Sequence, residues 1–353
     1  MNQISRRILL GTSAATLAAV LAACTTGPTD PVAPEPDATT SVTPGAAGEF
    51  PRTITHQYGE TVIEAQPERV ASVSWVNQDV ALALGVVPVA MAAVEYGANE
   101  NGSTDWMDAK LAELGADLPT TYSEADGINF TGVAAATPDL IIAAFSGITQ
   151  EDYDKLSKIA PVVAPPEGAL AFGTSWQDST RLIGEALGLE DRAAEVVADV
   201  EAAVAEAAEQ YPEIQGKTYL YGSVDPAAAE QIYLYTDVDN RPRFLNSLGM
   251  VQAPVVVENA TAEDGFYITW SPERADELVS DVLVTWAMDE SVGEAIKADP
   301  LLSSIPAVAN DALVLQTDNH LVLSVSAASP LSIPWALENV LPAIAEAAEG
   351  AGR

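Results

Sequence analysis

The sequence predicts an α/β protein of two lobes joined by a long rigid helix, with a ligand cleft between the lobes. Three observations carry the prediction. From Thr53 on, short β-branched runs alternate with Ala/Leu-rich amphipathic stretches, the pattern of strands covered by helices. Glu190 to Gln210 contains no glycine or proline and sets Ala194, Val197, Val200, Val204 and Ala207 at helical spacing; at about 1.5 Å per residue it spans roughly 30 Å, the width of a small domain. Strand–helix patterns lie on both sides of that segment, so it reads as a strut between lobes that limits hinge motion.

Residues 1–23 read as a signal peptide, with Arg6 and Arg7 ahead of apolar runs and no acidic residue. The apolar stretch falls short of the about 20 residues a membrane span needs. Ser5-Arg6-Arg7-Ile8-Leu9-Leu10 resembles a twin-arginine export signal, and Leu21-Ala22-Ala23-Cys24 resembles a lipobox, which makes Cys24 a lipid anchor. Residues 24–50, rich in Thr, Pro and Ala, form a flexible tether.

In the N-terminal lobe, residues 51–188, strands are expected at Arg69–Trp75, Val86–Met91, Asp139–Phe145 and Pro161–Ala164. Helices are expected at Gln78–Leu84, Asp105–Leu114, Thr149–Ile159 and Ser175–Leu187. The connecting helix takes 189–212. In the C-terminal lobe, residues 213–350, strands are expected at Thr218–Gly222, Asp281–Trp286 and Ala312–Gln316, and one closing helix at Pro330–Ala347.

The composition excludes several functions. With 15 Lys+Arg against 51 Asp+Glu the formal charge is −36, and removal of the two leader arginines takes it to −38. Such a polyanion lacks the cations that bind nucleic-acid phosphates. One cysteine and two histidines, His56 and His320, exclude an internal disulfide framework, a multi-cysteine zinc site and any site of three imidazoles. No G-x-S-x-G elbow or phosphate-binding glycine loop is present.

Several segments together resemble the helical-backbone solute-binding proteins of ABC importers, in particular the iron-siderophore binding lipoproteins. They are His56-Gln57-Tyr58-Gly59 with Ala65-Gln66-Pro67-Glu68-Arg69-Val70; Ala81-Leu82-Ala83-Leu84-Gly85-Val86; Ala135-Ala136-Thr137-Pro138-Asp139-Leu140-Ile141-Ile142; and Tyr153 through Val163. Ile183-Gly184-Glu185-Ala186-Leu187-Gly188, Phe244-Leu245-Asn246-Ser247-Leu248-Gly249 and Ser329-Pro330-Leu331-Ser332-Ile333-Pro334 follow in the family's order. The resemblance implies a monomeric extracytoplasmic protein, lipid-anchored to the outer face of the cell membrane. It would capture a ferric siderophore and deliver it to a permease with its own ATPase. No catalysis, no cofactor and no direct metal ligand are implied, the iron being carried within the chelate. Family members dock on the permease through a glutamate on each lobe. Glu273, in Trp270-Ser271-Pro272-Glu273-Arg274, takes that role in the second lobe. In the first, Asn129-Phe130 is followed by Thr131-Gly132 in place of the usual glutamate, with Glu124 or Asp126 as substitutes.

A bulky, partly apolar chelate needs aromatic walls and a few donors. Aromatic residues just past expected strand ends are the candidates: Trp75, Tyr96, Phe145, Phe172 and Trp176 in the first lobe, Tyr221, Tyr235 and Trp286 in the second. Phe145 and Phe172 read most readily as plain core. Eight arginines lie beyond residue 23. Arg243, with Arg241 beside it, is either a donor to a hydroxamate or carboxylate oxygen or a solvated helix start. Arg69 reads as structural, His56 as a satisfied surface histidine, and His320 as following a strand near the cleft. The charge favours a neutral or cationic hydroxamate over a tri-anionic catecholate by steering, or reflects solubility alone. The alternatives are a corrinoid or haem receptor on the same scaffold, with His320, Tyr96 or Tyr221 as axial ligand, and a cell-surface enzyme. The latter needs converging carboxylates, whereas Asp139 and Asp281 both stand at strand starts.

Overall fold

A computed structural model describes residues 48–228, 230–261 and 265–350. The leader, Cys24 and nearly all of the tether lie outside the described residues. None of the described helices is long and apolar enough to cross a membrane.

The fold opens with an antiparallel hairpin, β1 (Arg52–His56) and β2 (Gly59–Ile63). Its strict alternation turns Ile54, His56, Thr61 and Ile63 inward. His56 is therefore not a surface residue: it is 2% exposed. Its Nε2 lies 2.9 Å from Thr61 Oγ1 while Nδ1 accepts from the Tyr58 amide at 3.2 Å. Burial lowers its pKa below 6.5 and keeps the ring neutral.

The first sheet contains β3 (Val70–Ser72), β4 (Ala90–Ala92), β5 (Thr120–Tyr122), β6 (Leu140–Ile142) and β7 (Val162–Val163). All are parallel, in the order β5-β4-β3-β6-β7. β3 is much shorter than the run Arg69–Trp75, because Ser74 and Val76 adopt φ of 63° and 53° and turn the chain off the sheet. Asn77 braces that turn. Its Nδ2 donates to the Val73 and Phe145 carbonyls, both at 2.9 Å, and its Oδ1 accepts from the Phe145 amide at 3.0 Å. Arg69 is structural as expected, donating to the carbonyls of Ala136 and Thr137.

The helices begin where capping side chains place them. Thr104 caps Asp105–Leu114, Thr149 and Asp152 form a capping box on Gln150–Leu156, and Ser175 caps Trp176–Leu187. Glu190–Gln210 is one unbroken helix, but it buries Ala193, Val196, Val197, Val200, Val204 and Ala207. Ala194, assigned to the inward face, is exposed; Ala193 takes its place. Ala193 and Val196 pack into the core beneath the first sheet, and Val200, Val204 and Ala207 into that of the second. A β-carbon at Gly184 would stand 2.4 Å from Ala193 Cβ, so glycine there lets Trp176–Leu187 lie directly against the long helix.

The second sheet contains β8 (Thr218–Ser223), β9 (Ile232–Tyr235), β10 (Val251–Gln252), β11 (Tyr267–Trp270), β12 (Val282–Trp286) and β13 (Leu313–Gln316). Its order is β11-β9-β8-β12-β13, with β10 pairing parallel to the start of β8. β8, β12 and β13 are parallel, whereas β9 runs antiparallel to both β8 and β11. The closing helix is two helices, Ser332–Asn339 and Leu341–Gly350. Pro342 explains the break, since its ring lacks an N–H and crowds the carbonyl four residues back. Helix Asn319–Ser326 and the turn after it reach back to the first sheet: Leu323 and Ala327 share one apolar cluster with Val76, Leu82, Met91 and Trp106.

Candidate ligand-binding site

The first sheet reverses its winding between β3 and β6, and the carboxyl ends of two such strands open a crevice. Trp75 follows β3 and Phe145 follows β6, so both stand at that opening; Tyr96 follows β4. The second sheet presents Trp286 at the end of β12 and Tyr235 at the end of β9. Between them lies a cleft of about 380 Å³ walled by Trp75, Tyr96, Phe145 and Phe172 on one side and Tyr235, Arg241, Phe266 and Trp286 on the other. Trp75, Phe172 and Phe145 form a chain of rings with centroids 6.3 and 5.8 Å apart. Trp286 Nε1 donates to Tyr235 Oη at 3.0 Å, which fixes both rings of the opposite wall.

The cation at the centre is Arg241. Asp239 caps helix Asn240–Ser247 and accepts from the Arg241 amide at 2.9 Å; the same carboxylate takes Arg241 Nε at 2.7 Å and Nη2 at 2.6 Å. The guanidinium lies over the Tyr235 ring, 3.4 Å from its centroid. Burial works against its charge, and the Asp239 pair outweighs burial and raises its pKa. A bidentate, stacked guanidinium presents its remaining N–H groups in a fixed direction.

Six of the expected site residues meet in this cleft: Trp75, Tyr96, Phe145, Phe172, Tyr235 and Trp286. Phe172 is not plain core, being 43% exposed with φ of 56°. Phe145 is buried at the back wall. Tyr221 does not face the cleft: it is 1% exposed and donates to Gln316 Oε1 behind Tyr235. Trp176 packs against the second sheet's core and does not line the cleft. Arg243 turns away, donating from Nε to the Asp237 carbonyl and from Nη1 to the Gly173 carbonyl, each at 2.8 Å. It pins the second lobe to the loop before Trp176. Two positions along a helix point to different faces, so the neighbour Arg241 occupies the cleft. Phe266 and Asp239 were not anticipated; Phe266 precedes an edge strand that alternation did not reveal.

His320 sits between the lobes but is committed to structure. Its Nδ1 lies 2.6 Å from the Gly97 carbonyl and its Nε2 3.4 Å from the Asp105 amide, and Trp106 and Trp335 pack on its ring. Gly97 has φ of 68°, and a β-carbon there would stand 2.6 Å from the Asn319 carbonyl. Both conditions demand glycine, and they bring Tyr96 to the cleft edge. Among the described residues no group of three or more His, Cys, Asp or Glu could hold a metal ion. Asp139 and Asp281 are spent on the backbone amides of Glu68, Arg69 and Thr218, away from the cleft.

Residues 70–319 match the periplasmic binding protein family. The chain belongs to that family. This binding protein is 30% identical over 281 residues to the ferric enterobactin-binding periplasmic protein FepB of Escherichia coli O6:H1, covering 75% of this chain and 83% of that one. It is 24% identical over 235 residues, 66% of each chain, to the iron(3+)-hydroxamate-binding protein YxeB of Bacillus subtilis. Among solved structures it is similar to PiaA of Streptococcus pneumoniae in complex with ferrichrome, with a TM-score of 0.78 and 35% identity over 84% of this chain and 99% of that chain.

Proposed function

We propose that this binding protein captures a ferric siderophore in the aromatic cleft and delivers it to the permease of an ABC importer. The observation that carries the reading is the cleft itself: aromatic walls from both lobes around one fixed guanidinium. Such a site suits a preformed chelate, whose apolar faces meet the rings while Arg241 donates to a ligand oxygen. The relatives' names, ferric enterobactin, iron(3+)-hydroxamate and ferrichrome, support the siderophore class. A hydroxamate suits the cleft better than a catecholate, since its central cation is already paired with Asp239. Of the three axial candidates for a haem, His320 is held by the Gly97 carbonyl and Tyr221 is buried, which leaves Tyr96 alone at the cleft.

Export through residues 1–23 and lipid attachment at Cys24 place the receptor outside the cytoplasm, on the membrane's outer face. Glu273 supplies the second-lobe docking contact: it is exposed just past β11, ahead of Arg274, which is itself paired with Glu277 at 2.6 Å. Asp126, exposed in the loop before helix Phe130–Ala135, takes the first-lobe contact in place of the glutamate replaced by Thr131. Glu124 is withdrawn from that role, because its carboxylate turns inward and accepts from the Ser74 amide at 2.8 Å.

Tryptophan fluorescence titrated with ferrichrome, ferrioxamine B, a ferric catecholate, ferric citrate, haem and cobalamin tests the reading. Saturable quenching by a ferric hydroxamate, absent with the iron-free form, is expected. A response to haem or cobalamin alone would overturn it.

A further inference from the structure

Beside the main cleft, on the first-lobe side, lies a second cavity of about 240 Å³. Trp75 and Tyr96 line both, so the two spaces adjoin. The smaller falls below the roughly 300 Å³ at which drug-sized ligand pockets begin: it holds one arm of a ligand, not a whole chelate. Its charged lining is made of carboxylates, beside the hydroxyls of Ser74, Tyr96 and Thr104. Asp79, Glu95 and Glu124 line it, together with Gln78, and among the described residues no lysine or arginine does.

Three acceptor atoms of these lining residues lack a partner among the described residues. Asp79 Oδ2 accepts from Trp106 Nε1 and Ser329 Oγ, both at 2.8 Å, but its Oδ1 has no hydrogen bond. Gln78 Oε1 and Glu124 Oε1 are likewise buried and unpartnered. Asp79 and Gln78 are only 2% and 6% exposed. Leaving such atoms unmet costs about 1–3 kcal/mol each, and burial raises the Asp79 carboxyl to about 6 and the Glu124 carboxyl to about 7. These are sites that gain from a donor or a positive charge. An alkylammonium offers three donors and no acceptor, and the exposed rings of Trp75 and Tyr96 line the cavity as partners for a cation. With no cluster here able to hold a metal among the described residues, an organic cation is the fitting occupant.

We propose that this acid-lined cavity receives a protonated amine arm of the bound chelate, so that the receptor selects a cationic hydroxamate bearing a terminal ammonium. The inference rests on the siderophore reading and deepens it.

The test compares ferrioxamine B, which carries a terminal ammonium, with its N-acetylated neutral derivative and with ferrichrome, by fluorescence titration of the full chain at neutral pH. Acetylation is expected to weaken binding at least tenfold. In Asp79→Asn and in Glu124→Gln the ratio between free and acetylated forms should collapse to within about threefold. Because the readout is a ratio measured on one protein, general loss of folding does not imitate it, and the second variant serves where the first misfolds. Equal affinity of both ferrioxamine forms for the unaltered protein, with ferrichrome or either form binding, overturns the arm cavity and leaves the siderophore reading standing. Failure of every ferric chelate overturns both.

Discussion

Ser329 Oγ donates a 2.8 Å hydrogen bond to Asp79 Oδ2, joining residues 250 positions apart. Ser329 also organises its own turn, accepting from the amides of Leu331 and Ser332. The bond closes the far end of the chain onto the helix Asn77–Ala83 at the edge of the first sheet's crevice.

This fully buried carboxyl makes stability depend on pH in an unusual direction. Its pKa is raised from 3.8 to about 6, so between those values the folded state holds a proton that the unfolded state has released. The contribution of this group to stability is therefore greatest below pH 4 and falls by about 3 kcal/mol as pH rises toward 6. Asp79→Asn keeps an acceptor for Trp106 and Ser329 and removes the titration. Denaturant melts should show the variant gaining on the unaltered protein as pH goes from 4 to 7; parallel curves would refute the assignment.

Arg241 and Asp239 are nearly buried together, with side chains 11% and 9% exposed. Arg241→Leu should cost about 3–5 kcal/mol because it strands the carboxylate. Adding Asp239→Asn should recover much of that loss while chelate binding stays at least tenfold weaker. Recovery of binding along with stability would show that the guanidinium serves structure alone.

Trp286→Phe removes the bond to Tyr235 Oη, worth about 0.5–1.5 kcal/mol, and frees the ring on which Arg241 rests. A several-fold rise in Kd with a small drop in melting temperature is expected from paired titration and thermal melts.

Glu273→Arg reverses an exposed charge outside the cleft. Uptake of iron-loaded chelate by cells should fall at least tenfold while affinity in solution changes less than twofold. Normal uptake would remove Glu273 from docking.

Gly184→Leu drives a side chain into Ala193, whose Cβ already lies 2.4 Å from the site of a glycine β-carbon. Forcing the two helices apart should cost more than the roughly 1–3 kcal/mol of ordinary overpacking, read as a lower denaturation midpoint.

The parallel strands were legible because burial on both faces writes them as continuous apolar runs, as in Asp139–Phe145. β9 and β11 were not, since these short antiparallel strands, with Tyr233, Tyr235 and Tyr267, give too short an alternation. The long helix was placed correctly in extent, and its face slipped by one residue at Ala194 because alanine marks an inward face poorly. Trp75 and Trp286 were readable as cleft residues because they stand at the carboxyl ends of parallel strands, whereas Phe145, read most readily as plain core, is buried at the back of the cleft. Arg241 and Arg243 differ by two positions on a helix start, and only the backbone decides which of them faces the cleft. The unmet acceptors around Gln78 and Asp79 left no trace in the sequence, because partnering is a property of the folded neighbourhood.

The lobes are stitched together at several separate points: the long helix shared by both cores, Arg243 on the Gly173 carbonyl, His320 on the Gly97 carbonyl and Ser329 on Asp79. On the proposed reading, a receptor braced in this way is expected to change shape little between empty and laden, so that no closing step taxes its affinity. On that reading a permease would have no swing of one lobe to sense, and the laden state would differ at its surface by the chelate exposed at the mouth of the cleft.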